Sequence, residues 1–182
     1  MANISKGESE VEIILKADNQ LSKNELRMIF HLYNDSFCDN RICNSKKINL
    51  AKELLGGHDM FDWYLAKING EIVGMVSFVR RFPSNLNNQY YAIRPDKGEN
   101  VCSLCVTHKY RRYGIARRLM ETIIQDHGSR VNIVVEIKKT SKMYSHLVKF
   151  YQSLGFVIFE EDVKPDDNLF MKYVATVPNN SE

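Results

Sequence analysis

Apolar positions along this chain alternate between short strand-like runs and longer stretches of helical period. Residues 11–15, with Ile13 and Ile14, predict a first strand. Leu26, Ile29, Phe30, Tyr33 and Phe37 recur at helical spacing over 23–37, and Ser22 followed by Glu25 is the capping-box pattern that opens such a helix. A second short helix is expected over 45–55, stopped by Gly56-Gly57. The apolar runs 61–68 and 72–80 flank Asn69-Gly70, a strong hairpin signal. Residues 83–97 read as a long polar loop. An apolar strand starting at Val101 then turns through a basic loop into a helix with Ile115, Leu119, Ile123 and Ile124 on one face, ended by Gly128. Residues 131–137 predict a strand buried on both faces apart from Glu136. A helix over 143–153 closes at Leu154-Gly155, and two last strands, 156–161 and 169–175, flank an acidic loop.

The order β-α-α-β-β-β-α-β-α-β-β predicts an α/β (α+β) fold, with a mostly antiparallel sheet and helices on both faces. The strand–helix–strand unit over 101–137 requires two parallel strands and a right-handed crossover. No repeat or linker interrupts the pattern, so one domain is expected over residues 1–182, with 1–9 and 177–182 as frayed tails.

Charge changes this picture locally. The formal net charge of +3 over 182 residues is too small for a dedicated nucleic-acid binder. Lys109, Arg111, Arg112, Arg117 and Arg118 nevertheless crowd the central turn, whereas EEDVKPDD at 160–167 carries a net −4. A strand, a basic glycine-containing loop and a helix N-terminus together hold a phosphate, because free N–H groups and the positive end of the helix dipole converge there. Of the four cysteines, Cys102 and Cys105 form a C-x-x-C inside an apolar strand with no second pair, so buried thiols are expected and no metal. No signal-peptide core or bilayer-length apolar run is present; a cytoplasmic protein without a membrane partner is the expectation.

Two motifs carry a resemblance. Arg111-Arg112-Tyr113-Gly114-Ile115-Ala116 fits R/Q-x-x-G-x-G/A after a strand ending Leu104-Cys105-Val106, and Phe150-Tyr151-Gln152-Ser153-Leu154-Gly155-Phe156 fits F/L-Y-x-x-L-G-F. In that order, over residues 11–175, they resemble the GNAT superfamily of acetyl-coenzyme A dependent N-acetyltransferases. The resemblance implies a seven-stranded mixed sheet with about four helices on both faces, splayed at its fourth and fifth strands. It implies that the cofactor pyrophosphate sits on the backbone of Arg111, Arg112, Tyr113, Gly114, Ile115, Ala116 and Arg117. The pantetheine arm is expected along Leu104, Cys105 and Val106 beside a β-bulge, with the acetyl carbonyl at the N–H of Leu104 or Cys105. Where relatives carry an asparagine after the fifth strand, this chain has Lys138-Lys139-Thr140-Ser141, and Ser141 or Thr140 stands in for it.

An amine must lose a proton before it attacks, and a departing thiolate must gain one. Glu136, the one carboxylate inside its apolar strand, is placed like a catalytic glutamate of some GNAT relatives and is the expected base. The resemblance implies Tyr151, at the motif's tyrosine position, as the acid. An acetyl-cysteine route through Cys102 or Cys105 lacks a histidine base nearby in sequence. The acceptor is expected to be a small cationic amine such as a polyamine, drawn by the acidic loop, or a protein lysine or N-terminus. The alternative is a non-catalytic GNAT fold that senses acyl-coenzyme A. Either a monomer or a homodimer fits.

Overall fold

The computed structural model describes residues 10–17, 20–37, 61–79, 99–101, 103–128, 132–161 and 168–174. The helix expected over 45–55, the loop 83–97, Cys102 and the acidic stretch past Glu161 lie outside the described residues. The elements are β1 (Glu12–Ala17), α1 (Lys23–Phe37), β2 (Phe61–Ile68), β3 (Glu71–Val79), β4 (Glu99–Val101), β5 (Cys105–Val106), a 3-10 turn (His108–Tyr110), α2 (Ile115–His127), β6 (Ile133–Lys138), α3 (Tyr144–Gln152), β7 (Val157–Glu161) and β8 (Asn168–Tyr173).

Local chemistry accounts for several boundaries. At the start of α1 the Ser22 N–H donates to Glu25 Oε2 at 2.9 Å, and the Glu25 N–H donates back to Ser22 Oγ at 3.2 Å. This is the capping box expected from sequence. Asn69 and Gly70 take φ of 51° and 80°, the paired left-handed conformation that matches a two-residue turn to the twist of its strands. Past α3 the Phe156 N–H reaches the Tyr151 carbonyl at 3.1 Å and the Gly155 N–H reaches the Gln152 carbonyl at 3.0 Å. Gly155, at φ 89°, makes that Schellman closure possible.

The strands form one sheet in the order β1-β2-β3-β4-β6-β8-β7. Among the described residues only β4 and β6 pair in parallel; the other pairings are antiparallel. Among the described residues there are eight strands rather than seven, because the expected fourth strand is broken into β4 and β5, both paired with β3.

Two apolar layers cover the sheet. On one face α2 supplies Ile115, Leu119, Met120 and Ile123, and the α3 end supplies Tyr151, Leu154 and Phe156; they pack on Tyr64, Val76, Phe78, Ile133, Val135 and Ile137. On the other face Ile29 and Leu32 of α1 pack on Trp63, Leu65, Met75 and Cys105. Gly74 lets α2 lie close to β3: a Cβ there would stand 2.9 Å from Ile115 Cγ2 and 3.3 Å from the Cys105 carbonyl.

Candidate active site

The break in the fourth strand creates the cleft. Phe78 pairs with Val101 and Met75 with Cys105, so three steps along β3 face four steps along the other chain. One extra residue is inserted, a β-bulge, and bulges bend a strand and end its pairing. β4 pairs with β6 from Glu99–Ile133 to Val101–Val135. Beyond that point β5 follows β3, while Glu136, Ile137 and Lys138 of β6 pair with β8. Among the described residues no strand pairs with the other edge of β6 past Val135, so the sheet opens between β5 and β6.

Backbone direction along β5 follows from one contact. The Thr107 N–H donates to the Val73 carbonyl at 2.9 Å. In an antiparallel pair alternate residues turn their polar groups to the partner strand, so Cys105 also faces β3 and Val106 faces the opening. The Arg111 Nε donates to the Val106 carbonyl at 3.1 Å, which ties the basic loop to that edge.

The basic loop delivers helix amides to the same end of the cleft. Arg112 at φ 69° and Gly114 at φ 76° are both left-handed, and they turn the chain sharply into α2. Such a conformation is costly for arginine and natural for glycine. The first intrahelical bond of α2 runs from the Arg118 N–H to the Gly114 carbonyl at 3.0 Å, and no side chain caps this end. The amides of Ile115, Ala116 and Arg117 therefore have no intrahelical acceptor. A Cβ at Gly114 would meet nothing within 4 Å. Glycine is needed there for its φ, and the space in front of the turn is open to an anion.

The side chains of this segment serve unequal ends. Arg117 Nη2 donates to Ser153 Oγ at 2.7 Å, which ties α2 to the end of α3, and Arg117 Nη1 lies 3.6 Å from Glu121 Oε1 within α2. Lys109 lies 5.0 Å from the Tyr110 ring centroid, a cation–π contact. Arg111, Arg112 and Tyr113 are exposed. Ser141 Oγ accepts the Met143 N–H at 3.2 Å, and the Ser141 carbonyl accepts the Tyr144 N–H at 3.0 Å, so this residue shapes the turn into α3.

Tyr151 and Glu136 lie on opposite faces of the sheet. Tyr151 is 6% exposed and packed between Phe150 and Phe156, with ring centroids 5.1 Å and 5.4 Å away. Burial, and secondarily the charge that Cys105 would carry, push its phenol pKa up. The hydroxyl is therefore held protonated, and it lies close enough to Cys105 for their ionised forms to repel. On β6, Ile133, Val135 and Ile137 belong to the α2/α3 layer, so strand alternation puts Glu136 and Lys138 on the α1 face. Glu136 is exposed there.

Cys105 reaches the α1 layer and is 3% exposed. Burial pushes its thiol up to about 12, outweighing the opposing effects of the Ser36 hydroxyl and the Arg111 charge. Ser36 lies near the thiol, yet its buried Oγ does not meet hydrogen-bond geometry with any partner. A thiol held neutral is a poor nucleophile. Sequence reasoning had no signal for Ser36, since a serine inside an amphipathic helix carries no motif.

Among the described residues no group of three or more His, Cys, Asp or Glu side chains is arranged to hold a metal ion, and no helix is long and apolar enough to cross a membrane.

A split central strand, a sheet opened beside a left-handed turn, and uncapped helix amides at its mouth define an acyl-coenzyme A binding fold. The family model for the acetyltransferase (GNAT) domain matches residues 59–158, more than half of the chain. The chain belongs to this family and is an acyl-coenzyme A dependent N-acetyltransferase. No curated protein sequence matches it. Among solved structures, an acyl-CoA N-acyltransferase from Pseudomonas aeruginosa is similar at 15% identity and TM-score 0.63, over 91% of this chain and 100% of that one. The ribosomal-protein-S18-alanine N-acetyltransferase from Escherichia coli is similar at 14% identity and TM-score 0.63, over 94% of this chain and 99% of that one. An aminoglycoside 6′-N-acetyltransferase complexed with coenzyme A is similar at 14% identity and TM-score 0.59, over 87% of this chain and 95% of that one. At these identities the likeness is one of fold.

Proposed function

We propose that this enzyme transfers an acetyl group from acetyl-coenzyme A to a primary amine by direct attack in a ternary complex, the acceptor being a small cationic amine, a protein lysine or a protein N-terminus. The observation that carries this reading is the opening between β5 and β6, with buried Tyr151 in the α2/α3 layer and exposed Glu136 on the α1 face. Acetyl-coenzyme A supplies the acyl group and a thiolate leaving group. The amides of Ile115, Ala116 and Arg117, with the turn from Arg111 to Gly114, hold its pyrophosphate. Val106 turns its backbone polar groups to the opening, and Leu104 continues the same alternation; these two hold the pantetheine arm as an added strand. Of the two amides expected near the acetyl carbonyl, this alternation favours Leu104, because Cys105 faces β3. The Leu104 N–H donates to the carbonyl oxygen as charge develops there.

Glu136 takes a proton from the amine on the α1 face, directly or through one water. Tyr151 gives its phenolic proton to the departing sulfur, and solvent restores it. The raised phenol pKa supports that role, since the hydroxyl is protonated throughout the neutral range. Ser141 is read as shaping the α3 turn beside the cofactor, with its hydroxyl proton left to donate. The names of two structural neighbours point to a protein alanine and to an aminoglycoside, which is consistent with a nitrogen acceptor.

The test is release of free thiol from acetyl-coenzyme A with spermidine, a lysine peptide and peptides with free N-termini. Tyr151→Phe is expected to lower kcat by about 10²-fold while leaving the KM for acetyl-coenzyme A within about twofold. Unchanged turnover across the pH range would remove Tyr151 from the mechanism. Tight acetyl-coenzyme A binding with no thiol release on any amine would favour the sensor reading.

A further inference from the structure

Among the described residues the sheet ends in β1 on one side and β7 on the other. An edge strand leaves a row of N–H and C=O groups open to a further strand, and proteins blunt such edges with bulges, charges or cover. The β7 edge is blunted: its register shifts between Ile158 and Glu160, and it closes on two glutamates. The β1 edge has no bulge. Its six residues pair with β2 in unbroken register from Glu12–Lys67 to Ala17–Asp62.

Two contacts show which groups of β1 face outward. The Ala17 N–H donates to Gln20 Oε1 at 3.1 Å, and the Val11 carbonyl accepts from Arg118 Nη2 at 2.8 Å. Neither group is turned to β2, and alternate residues of an antiparallel strand turn their polar groups the same way. Ile13 and Leu15 therefore present theirs to the outer edge. Among the described residues no backbone or side-chain group meets them. Gln20 and Arg118 close the two ends, so the open window runs from Ile13 to Leu15. Leu15 is also 49% exposed, an apolar side chain left uncovered. It shares the α2/α3 face with Val11 and Ile13, which pack on that layer. Glu12, Ile14 and Lys16 take the α1 face, where Lys16 reaches Glu25.

The pattern of this edge complements itself. A two-fold axis perpendicular to the sheet keeps every side chain on its own face, so odd residues oppose odd and even oppose even across it. With the axis at Ile14, Ile13 stands opposite the second copy's Leu15, and the pair exchanges both N–H···O=C bonds. On the α1 face Glu12 then stands opposite the second copy's Lys16, so opposite charges meet on both sides of the axis. An ammonium has three donors, so Lys16 keeps Glu25 and still serves Glu12. Moving the axis to Ile13 sets Glu12 against Ile14, and moving it to Leu15 sets Lys16 against Ile14. Charge and apolar contact therefore favour one register.

We propose that two copies of this chain join edge to edge through antiparallel β1 strands, about a two-fold axis at Ile14, so that one sheet runs through both molecules.

The experiment is sedimentation velocity on the full chain, from about 1 μM to about 200 μM, where a monomer–dimer equilibrium is expected. Leu15→Pro removes an outward N–H and an exposed apolar side chain without touching the β2 ladder, a place where an edge strand tolerates proline. Glu12→Lys sets like charges in opposition. Each variant is expected to raise the dimer dissociation constant about tenfold or more, with an unchanged far-UV circular dichroism spectrum. Amide hydrogen exchange gives the local readout: in the wild type the Ile13 and Leu15 N–H groups exchange about tenfold more slowly in the dimer than in the monomer. A wild type that stays monomeric throughout overturns the proposal. So does a dimer that both variants leave intact, or one whose formation leaves exchange at Ile13 and Leu15 unchanged. If Leu15→Pro does not fold, Leu15→Lys replaces it under the same criterion.

Discussion

Glu25 offers the sharpest quantitative test of how this fold is held. Its carboxylate accepts from the Ser22 N–H and Oγ at 2.9 Å each, from Lys16 Nζ at 2.8 and 2.9 Å, and from Lys67 Nζ at 3.0 Å. One side chain thus joins the first turn of α1 to β1 and β2. The residue is 8% exposed. Burial alone would raise its pKa, but Lys16, the Ser22 N–H and Lys67 together outweigh it and lower the group from 4.5 to about 2. At about 1.4 kcal/mol per unit this corresponds to roughly 3 kcal/mol of stabilisation as an upper bound. The two lysines are 26% and 17% exposed, so solvent screening brings the expectation to about 2 kcal/mol.

The sign follows from the direction of the shift. A carboxyl whose pKa is depressed by folding stabilises fully above its unfolded value near 4.5, and this contribution is lost as pH falls toward about 2. Glu25→Gln keeps the shape and removes the charge. Urea unfolding at neutral pH is expected to show the variant about 2 kcal/mol less stable, with the gap closing steadily as pH falls through the acid range. A gap independent of pH, or one below about 0.5 kcal/mol at neutral pH, would refute the account.

Other perturbations probe the cleft. Gly114→Ala forces a Cβ into a left-handed position with no clash around it, so the cost is conformational, about 1–2 kcal/mol. Weaker coenzyme A binding by calorimetry is expected, and Gly114→Asn should lose less. Gly74→Ala places a methyl 2.9 Å from Ile115 Cγ2 and is expected to destabilise by about 1–3 kcal/mol in chemical unfolding. Cys105, with its thiol pushed up to about 12 by burial, should react with iodoacetamide at neutral pH far more slowly than in unfolded protein. Cys105→Ala should retain turnover within a few-fold, whereas an acetyl-cysteine route predicts its loss.

Much of this protein was legible in its sequence because much of it is local. The capping box at Ser22 and Glu25, the Asn69-Gly70 turn and the Leu154-Gly155-Phe156 helix stop depend on residues a few positions apart. The helix over 23–37 matches α1 (Lys23–Phe37), since its apolar spacing and its cap agree. The two motifs were also readable, as each occupies one contiguous turn or helix end.

What sequence could not supply were relations across the sheet. The strand expected up to Val106 is interrupted because β3 imposes a register that one extra residue breaks, and only pairing reveals that count. Glu25 shows its cap in sequence, but its partners Lys16 and Lys67 come from two separate strands. Neither the burial of Tyr151 nor the face taken by Glu136 follows from spacing; both depend on which layer covers each side of the sheet. The open window at Ile13 and Leu15 is visible only once β1 has taken the end of the sheet. Sequence determined the elements and the basic, left-handed turn into α2, because short-range sterics and hydrogen bonding set them. Tertiary structure decided the opening in the sheet and the groups on its two sides, because these arise from long-range pairing and from the exclusion of water.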